Sequence, residues 1–350
     1  MTLGERQTSC RILGKFRSNY ASCAKKPSRY WRAFSSRSRT CHELGRPLTL
    51  HATLIHNSNA AGKFRISTDR IIELLAESGI EAESRPTASP DDLIEALRDP
   101  GDLIVAAGGD GTIRGVALAL AAQPGPHVPL ALAPLGTANN IARTLGLTEL
   151  TENLLLGLSN PLRLPFDLGL IQAPWGEALF LEAFGFGLFA VGMESYAPDE
   201  GKSLLRAARA TFDTLRNYSA KDWIVQIDDE DFSGRYLMVE VMNTSAMGLR
   251  LRLAPEADPS DGLFDIVLVR EDDSVGVAAY LTRLASGELE KLENITIKRG
   301  KRLTLAWDGS PVHYDEEVAG DESGQSQGGT LTVEIQPGAL ELYLPKDYFG

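Results

Sequence analysis

The stretch Ala106-Ala107-Gly108-Gly109-Asp110-Gly111-Thr112 combines residue types that can handle a phosphate. Glycines let the main chain take positive φ and let a ligand approach with no Cβ in the way. A glycine turn between a strand and a helix aims backbone N–H groups at an anion. Asp110 is the odd member. A carboxylate is repelled by a phosphate unless a cation lies between them, so the stretch points to a nucleotide carried with Mg²⁺. A packing turn could share this spacing, and a glycine turn alone is a weak signal. A second stretch, Pro134-Leu135-Gly136-Thr137-Ala138-Asn139-Asn140-Ile141-Ala142-Arg143, has the same layout of a loop that opens a helix.

Positioning these loops requires strands that end together. Leu48–His56, Ile80–Pro86, Asp102–Ala107 and Pro129–Ala133 read as strands. Between them lie a helix carrying Phe64, Ile71, Ile72, Leu74 and Leu75 and stopped by Gly79, a helix opened by Ser89-Pro90-Asp91-Asp92, and a helix over Thr112–Ala121. Alternating strands and helices imply a doubly wound, mostly parallel α/β sheet covered on both faces. Ligands of such sheets bind beyond the carboxyl ends of the strands, where both loops begin.

After Pro161 the texture changes. Strands are expected over 162–173, 178–186, 223–227, 236–242, 250–253, 264–269 and 303–307, with helices over 202–216 and 275–285. This is a β-rich sandwich or barrel-like layer. Residues 315–329 are acidic, then rich in Gly, Ser and Gln, and read as a mobile loop before strands over 331–335 and 340–344. The expected division is a basic tail, 1–46, an α/β domain, 47–160, to which strand 330–350 returns, and a β-rich domain, 161–329.

The chain of 350 residues is long enough for two cores, and its net charge of −12 argues against a nucleic-acid partner. Residues 1–46 hold eleven Lys/Arg against Glu5 and Glu43, which leaves the remainder at −21. Cys10, Cys23 and Cys41 all lie in that basic segment, in no metal or redox spacing. A cysteine-free folded part is expected in a reducing, cytoplasmic setting. No apolar run is long enough for a transmembrane helix; the longest, Leu179–Met193, is interrupted by Glu182.

Taken together, these motifs resemble the diacylglycerol kinase catalytic-domain family, which includes bacterial lipid kinases and sphingosine kinases. Gly108–Thr112 and Pro134–Arg143 carry the resemblance, with Leu253-Ala254-Pro255-Glu256-Ala257-Asp258-Pro259-Ser260-Asp261-Gly262-Leu263-Phe264-Asp265 and Asp308-Gly309. The first motif is shared with NAD kinases, whose α/β domain, like that of phosphofructokinases, is similar. The resemblance implies ATP and Mg²⁺ as cofactors and a lipid hydroxyl as acceptor, diacylglycerol-like or sphingoid. It implies that Gly108, Gly109, Asp110, Gly111 and Thr112 cradle the phosphates with Thr87, Gly136, Thr137 and Asn139. It implies a Mg²⁺ site at Asp258, Asp261 and Leu263, with Asp110 serving the nucleotide's metal and Asp308 on the acceptor side as catalytic residues.

The sequence departs from the family in four places. The first loop, Asn57-Ser58-Asn59-Ala60-Ala61-Gly62, lacks the usual proline; Arg114-Gly115 replaces Asn-Glu; Asn139-Asn140 replaces a frequent Asn-Asp; and Ser310 replaces the glutamate of Asp-Gly-Glu. Serine is no base at neutral pH, so Asp308, or an acid such as Asp315, Glu316 or Glu317, would have to act. Three readings follow: a lipid kinase acting at a membrane surface, a non-catalytic nucleotide- or lipid-binding relative, and an NAD kinase-like enzyme. The oligomeric state stays open, a homodimer among the options.

Overall fold

The computed structural model describes residues 49–57, 66–123, 127–147, 152–195, 218–248, 251–271, 294–320 and 327–346. The basic segment 1–46, the helices expected over 202–216 and 275–285, and residues 58–65 lie outside the described residues. The chain divides into two units and passes between them four times: one unit takes Met1–Leu135, Glu149–Arg163 and Glu341–Gly350, the other Gly136–Thr148 and Leu164–Leu340.

In the first unit, β1 (Leu50–Asn57), β2 (Ile80–Thr87), β3 (Leu103–Gly108) and β4 (Leu130–Pro134) pair in parallel in the order β2-β1-β3-β4. Leu342 and Tyr343, near the end of the last strand, pair in parallel with β4. β3 and β4 are buried throughout, as expected of strands covered on both faces. Helix α1 (Thr68–Glu77) starts where the Ser67 hydroxyl accepts from the Arg70 N–H, and it buries Ile71, Leu74 and Leu75. Helix α2 (Pro90–Ala96) has a capping box between Ser89 and Asp92. Helix α3 (Asp110–Ala121) buries Ile113, Val116, Ala117 and Leu120, one stripe at helical spacing.

The second unit is an antiparallel sandwich. One sheet runs β11 (Ile295–Gly300), β10 (Phe264–Arg270), β9 (Gly234–Met242), β7 (Ala183–Gly187), β13 (Val312–Tyr314), β14 (Glu317–Ala319). The other holds β8 (Val225–Ile227), β12 (Arg302–Trp307) and the first part of β15 (Gly329–Pro345), with the hairpin of β5 (Pro161–Ala173) and β6 (Gly176–Phe180). Phe180, Phe184, Phe186, Tyr236, Phe264, Leu303, Leu331 and Val333 fill one shared core. On the opposite face of β7 and β9, Ala183, Leu237, Met238, Met242 and Val267 form a second apolar cluster with Leu188 of helix α4 (Leu188–Ser195).

Three local expectations change. The single strand over 178–186 is two, β6 and β7, broken at Leu181-Glu182. Apolar residues continue on both sides of Glu182, with no glycine, proline or asparagine at the break to mark it. The segment read as a mobile loop from residue 315 begins instead with a buried Asp315 and contains β14. The two last strands are one, β15, which continues through Pro337 and Gly338.

A fully buried, hydrogen-bonded Glu–His pair crosses the sandwich sheet. Glu240 on β9 and His313 on β13 both pair in register with Gly185 of β7 between them. The Glu240 carboxylate fills the space where a Gly185 side chain would stand and meets His313 Nε2 at 2.8 Å. Both side chains are 0 % exposed. Burial pushes the Glu240 pKa up, and the charge and hydrogen bond of His313 pull it back only in part. His313→Ala strands a buried acid, so urea unfolding is expected to show a loss of about 3–5 kcal/mol. The apolar double variant Glu240→Met/His313→Leu is expected to recover most of it.

Candidate active site

The first unit puts its predicted residues at one end of one sheet. Strand order β2-β1-β3-β4 reverses direction between β1 and β3, and ligands of such sheets bind at that reversal, beyond the carboxyl ends. Asn57 and Thr87 are register partners at the ends of β1 and β2. Gly108 and Pro134 are register partners at the ends of β3 and β4, and the Leu135 N–H donates to the Gly108 carbonyl at 2.8 Å. Both loops therefore leave the sheet side by side. Gly109 is the N-cap of α3 and makes no side-chain cap, so the helix start is left to backbone N–H groups. Asp110 stands in the first turn, where a carboxylate is favoured by the helix dipole. A side chain on Gly108 would lie 2.5 Å from Cβ and Oγ1 of Thr112, so only glycine fits there. The Thr87 hydroxyl is turned to the His56 carbonyl at 3.4 Å.

His56 is a feature that sequence reading missed. It is the last residue but one of β1, at the reversal point, its Nε2 lies 3.1 Å from the Ser84 hydroxyl, and its buried Nδ1 has no partner among the described residues. Burial lowers its pKa. Only its position at a strand end could have signalled it.

In the second unit, the loop Gly136–Asn139 closes on itself. Asn139 Oδ1 accepts from the Gly136 N–H and its Nδ2 donates to the Gly136 carbonyl, each at 2.9 Å, with Asn139 in the left-handed region at φ 52. Its amide thus shapes the turn, while Gly136 and Thr137 stay exposed. Arg143 Nε donates to the Ala138 carbonyl at 3.0 Å and ties the loop to the five-residue helix Asn140–Thr144.

Asp258, Asp261 and Leu263 share one turn. Asp258 Oδ1 accepts from the Ser260 N–H at 2.9 Å and hydroxyl at 2.6 Å; Asp261 Oδ1 accepts from the Leu263 N–H at 2.9 Å. Beneath it, Asp167 accepts from the Gly262 N–H at 2.7 Å and the Gly338 N–H at 2.6 Å. Burial, then the N–H donors in opposition, then Asp261 and Asp258 set the Asp167 pKa, and the net shift is upward. Oxygen donors in a patch of crowded negative charge suit Mg²⁺. Arg299, however, already donates to Asp261, and among the described residues no three acidic, His or Cys groups are placed to hold a metal. The donor set available is two carboxylates and a backbone carbonyl.

Asp308 is exposed at the end of β12, and Ser310 caps it: the Ser310 N–H donates to Asp308 Oδ1 at 3.0 Å and the hydroxyl donates to the same oxygen at 2.5 Å. Partial burial raises the Asp308 pKa, but the Ser310 hydroxyl and N–H and the Lys221 charge outweigh it and hold the carboxyl below its ordinary range. Trp307 Nε1 donates to the Ser310 carbonyl at 2.7 Å and fixes the turn. Asp315, considered as a replacement base, is an anchor: its carboxylate accepts from the N–H groups of Leu181 at 3.0 Å, Glu182 at 2.7 Å and Ala183 at 3.2 Å.

A mostly parallel α/β sheet with glycine turns at its strand ends, followed by an antiparallel sandwich, defines an α/β domain joined to a β domain. The chain belongs to the diacylglycerol kinase catalytic-domain family. Residues 51–171 match the diacylglycerol kinase catalytic domain, and residues 200–344 match the YegS C-terminal NAD kinase beta sandwich-like domain. A Pseudomonas putida protein named "Probable lipid kinase YegS-like" is 32% identical over 281 residues, covering 77% of this chain and 88% of its own. A Staphylococcus epidermidis protein named "Diacylglycerol kinase" is 26% identical over 308 residues, 85% of this chain and 93% of its own. A crystal structure of a diacylglycerol kinase from Bacillus anthracis str. Sterne shares the fold, with a TM-score of 0.59 at 18% identity over 87% of this chain and 100% of that one.

Three outcomes test this geometry. A methyl group added at Gly115 on α3 would meet only Leu93 Cδ2, at 3.6 Å, so Gly115→Ala is expected to raise stability by about 0.4–1 kcal/mol while nucleotide binding is retained. Gly108→Ala is expected to abolish calorimetric ATP binding. His56 and His127 are both held below the ordinary value of 6.5 by burial. The unfolded state then binds more protons, so stability should fall as pH drops below about 6.5, and His56→Gln/His127→Gln should flatten that slope in thermal unfolding.

Proposed function

We propose that this protein transfers the γ-phosphoryl group of ATP to the hydroxyl of a lipid, diacylglycerol-like or sphingoid, drawn from a membrane surface in a reducing compartment. The observation that carries this is the pair of glycine loops leaving register-matched ends of β3 and β4 in a member of this family. The names of the relatives supply the acceptor class. Bound Mg²⁺ would neutralise phosphate charge, with Asp110 as its protein carboxylate and the Asp258–Leu263 turn as a separate structural hold.

The chain's own residues have defined tasks in this reading. Backbone N–H groups of Gly109, Asp110 and Gly111 orient the phosphates, with Thr137 as a hydroxyl donor and Thr87 as a second once its hydroxyl turns from the His56 carbonyl. The lipid oxygen bonds to the γ-phosphorus as the bond to the β–γ bridging oxygen breaks and ADP leaves. The hydroxyl proton leaves late, to solvent or a transferred phosphoryl oxygen, because the transition state of phosphoryl transfer is loose. Asp308, kept ionised by Ser310, accepts a hydrogen bond from that hydroxyl and aims it. The Ser310 cap also motivates a second reading, a nucleotide-binding protein without turnover.

Radiolabelled ATP with lipid in mixed micelles decides between them. Label is expected in the organic phase. Asp308→Ala should lower kcat about 100-fold or more with the ATP dissociation constant unchanged. Tight ATP binding without transfer to any of a broad lipid panel favours the second reading. NADP formation from NAD in the same preparation would replace both.

A further inference from the structure

The turn Asp308-Gly309-Ser310 links β12 of one sandwich sheet to β13 of the other. A second connection runs in the opposite sense: the chain leaves β14 after Ala319 and enters β15 at Gly329. Strand register fixes how close the two come. Ala319 pairs with Val312, and Gly329 pairs with Trp307. Each end of the second connection therefore lies against one end of the first. Both ends are glycine, Gly320 just after β14 and Gly328 just before β15.

Neither glycine has room for a side chain, and the turn is what fills the room. A Cβ on Gly320 would stand 2.5 Å from the Ser310 carbonyl oxygen, 2.7 Å from that of Gly309 and 2.8 Å from Cζ2 of Trp307. A Cβ on Gly328 would stand 2.7 Å from the Trp307 carbonyl oxygen and 3.3 Å from Cα and the carbonyl carbon of Asp308. Apart from the Trp307 ring these are backbone atoms, which do not swing aside as a side-chain tip does. The ring is held as well, with Nε1 on the Ser310 carbonyl at 2.7 Å and Trp175 edge-on at 4.6 Å between centroids. Gly320 has φ +79, so the left-handed backbone is a second reason for glycine there. Gly328 has no such reason: it is exposed, and its φ is not positive. Space beside Asp308 is the demand that only glycine meets at that position.

We propose that Gly320 and Gly328 are positioning residues for Asp308: their bare main chain braces the Asp308–Ser310 turn from both of its ends and sets where the Asp308 carboxylate points. The brace meets the turn through main chain and the Trp307 ring, and the Asp308 side chain stays exposed to act. A methyl group on Gly328 would push the Asp308 backbone by several tenths of an ångström and loosen the two Ser310 bonds on Oδ1. Misplacing a reacting group by about 1 Å costs about 100-fold in rate. The Gly-rich character of this stretch thus serves close packing at its two ends. The proposal rests on the acceptor-side reading of Asp308 given above.

The test uses the full chain, with kcat and KM for ATP and lipid, thermal unfolding, and a carbon NMR titration of the Asp308 carboxyl assigned against Asp308→Asn. Gly328→Ala is expected to lower kcat about 10- to 100-fold with KM for ATP within about twofold of wild type. Its Asp308 carboxyl should titrate higher, toward the ordinary 3.8, as the Ser310 bonds loosen. Gly320→Ala, which reaches the turn from its other end, should do the same at a larger cost in Tm, and stands in if Gly328→Ala does not fold. Gly329→Ala is the control. Its Cβ would meet Pro174 Cγ at 2.9 Å and not the turn, so kcat and the titration should stay as in wild type. Gly328→Ala/Asp308→Ala should be no slower than Asp308→Ala, since a brace has nothing left to aim, whereas a merely structural defect would lower the rate further. Wild-type titration of Asp308 in folded Gly328→Ala, kcat within twofold of wild type, or losses that multiply in the double variant overturn the proposal. Wild-type kcat in Asp308→Ala, or no lipid turnover in the wild-type protein, sinks the acceptor-side reading instead and leaves the titration to decide whether the glycines position Asp308.

Discussion

The register of β3 against β4 is the constraint on which the first unit's chemistry depends. Parallel strands end at the same edge, and a one-residue slip would turn every side chain over and offset the loops. Here Gly108 faces Pro134, and the Leu135 N–H seals the pair. Both strands are buried on both faces, so packing as well as hydrogen bonding holds that register. The absence of a side chain at Gly108 then lets Thr112 fold back over the turn. Glycine is needed here for space, not for a left-handed backbone.

The second unit meets a different demand, which is to hold polar groups still inside an apolar sandwich. Its solution is to pin carboxylates with backbone N–H groups. Asp167 and Asp315 each gather donors from segments far away in the chain. Such bonds favour the charged form and offset the cost of burying it. The Glu240–His313 pair is the costlier alternative, since among the described residues the two groups hydrogen-bond only to each other. Gly185 makes that pair possible by leaving one side-chain volume empty between neighbouring strands.

The fold was legible where its causes are local. Ser89 announces a helix because capping acts over three residues, and the glycine turn announces itself because sterics act over one, whereas the cap at Ser67 went unread and the helix begins at Thr68, later than its apolar residues suggested. Most sandwich strands showed as apolar runs, although β11, β13 and β14 did not, and the break at Glu182 was hidden because apolar residues continue on both sides of it without a turn signal. The site was legible as loops and not as contacts. Asn139 reads as a loop residue that could meet a ligand, yet its amide closes on Gly136. Asp315 reads as part of an acidic loop, yet its partners lie more than 130 residues upstream. One signal was present and undervalued: a single acid inside a long apolar run has to find a partner, and Glu182 found Asn140.

Ser310 shows why a departure from a family motif need not mean loss of the chemistry proposed here. A glutamate at that position would set a second carboxylate two residues from Asp308. Two acids that close compete, and one of them is pushed toward holding a proton. Serine removes the competitor and adds one donor, its hydroxyl, beside the N–H that any residue there supplies, so the remaining carboxyl is driven the other way. The turn loses a group able to take a proton and keeps a fixed negative charge. A reaction that needed early proton removal would suffer from that exchange. A loose phosphoryl transfer, in which the acceptor proton leaves after the phosphorus–oxygen bond has largely broken, depends more on aim than on basicity.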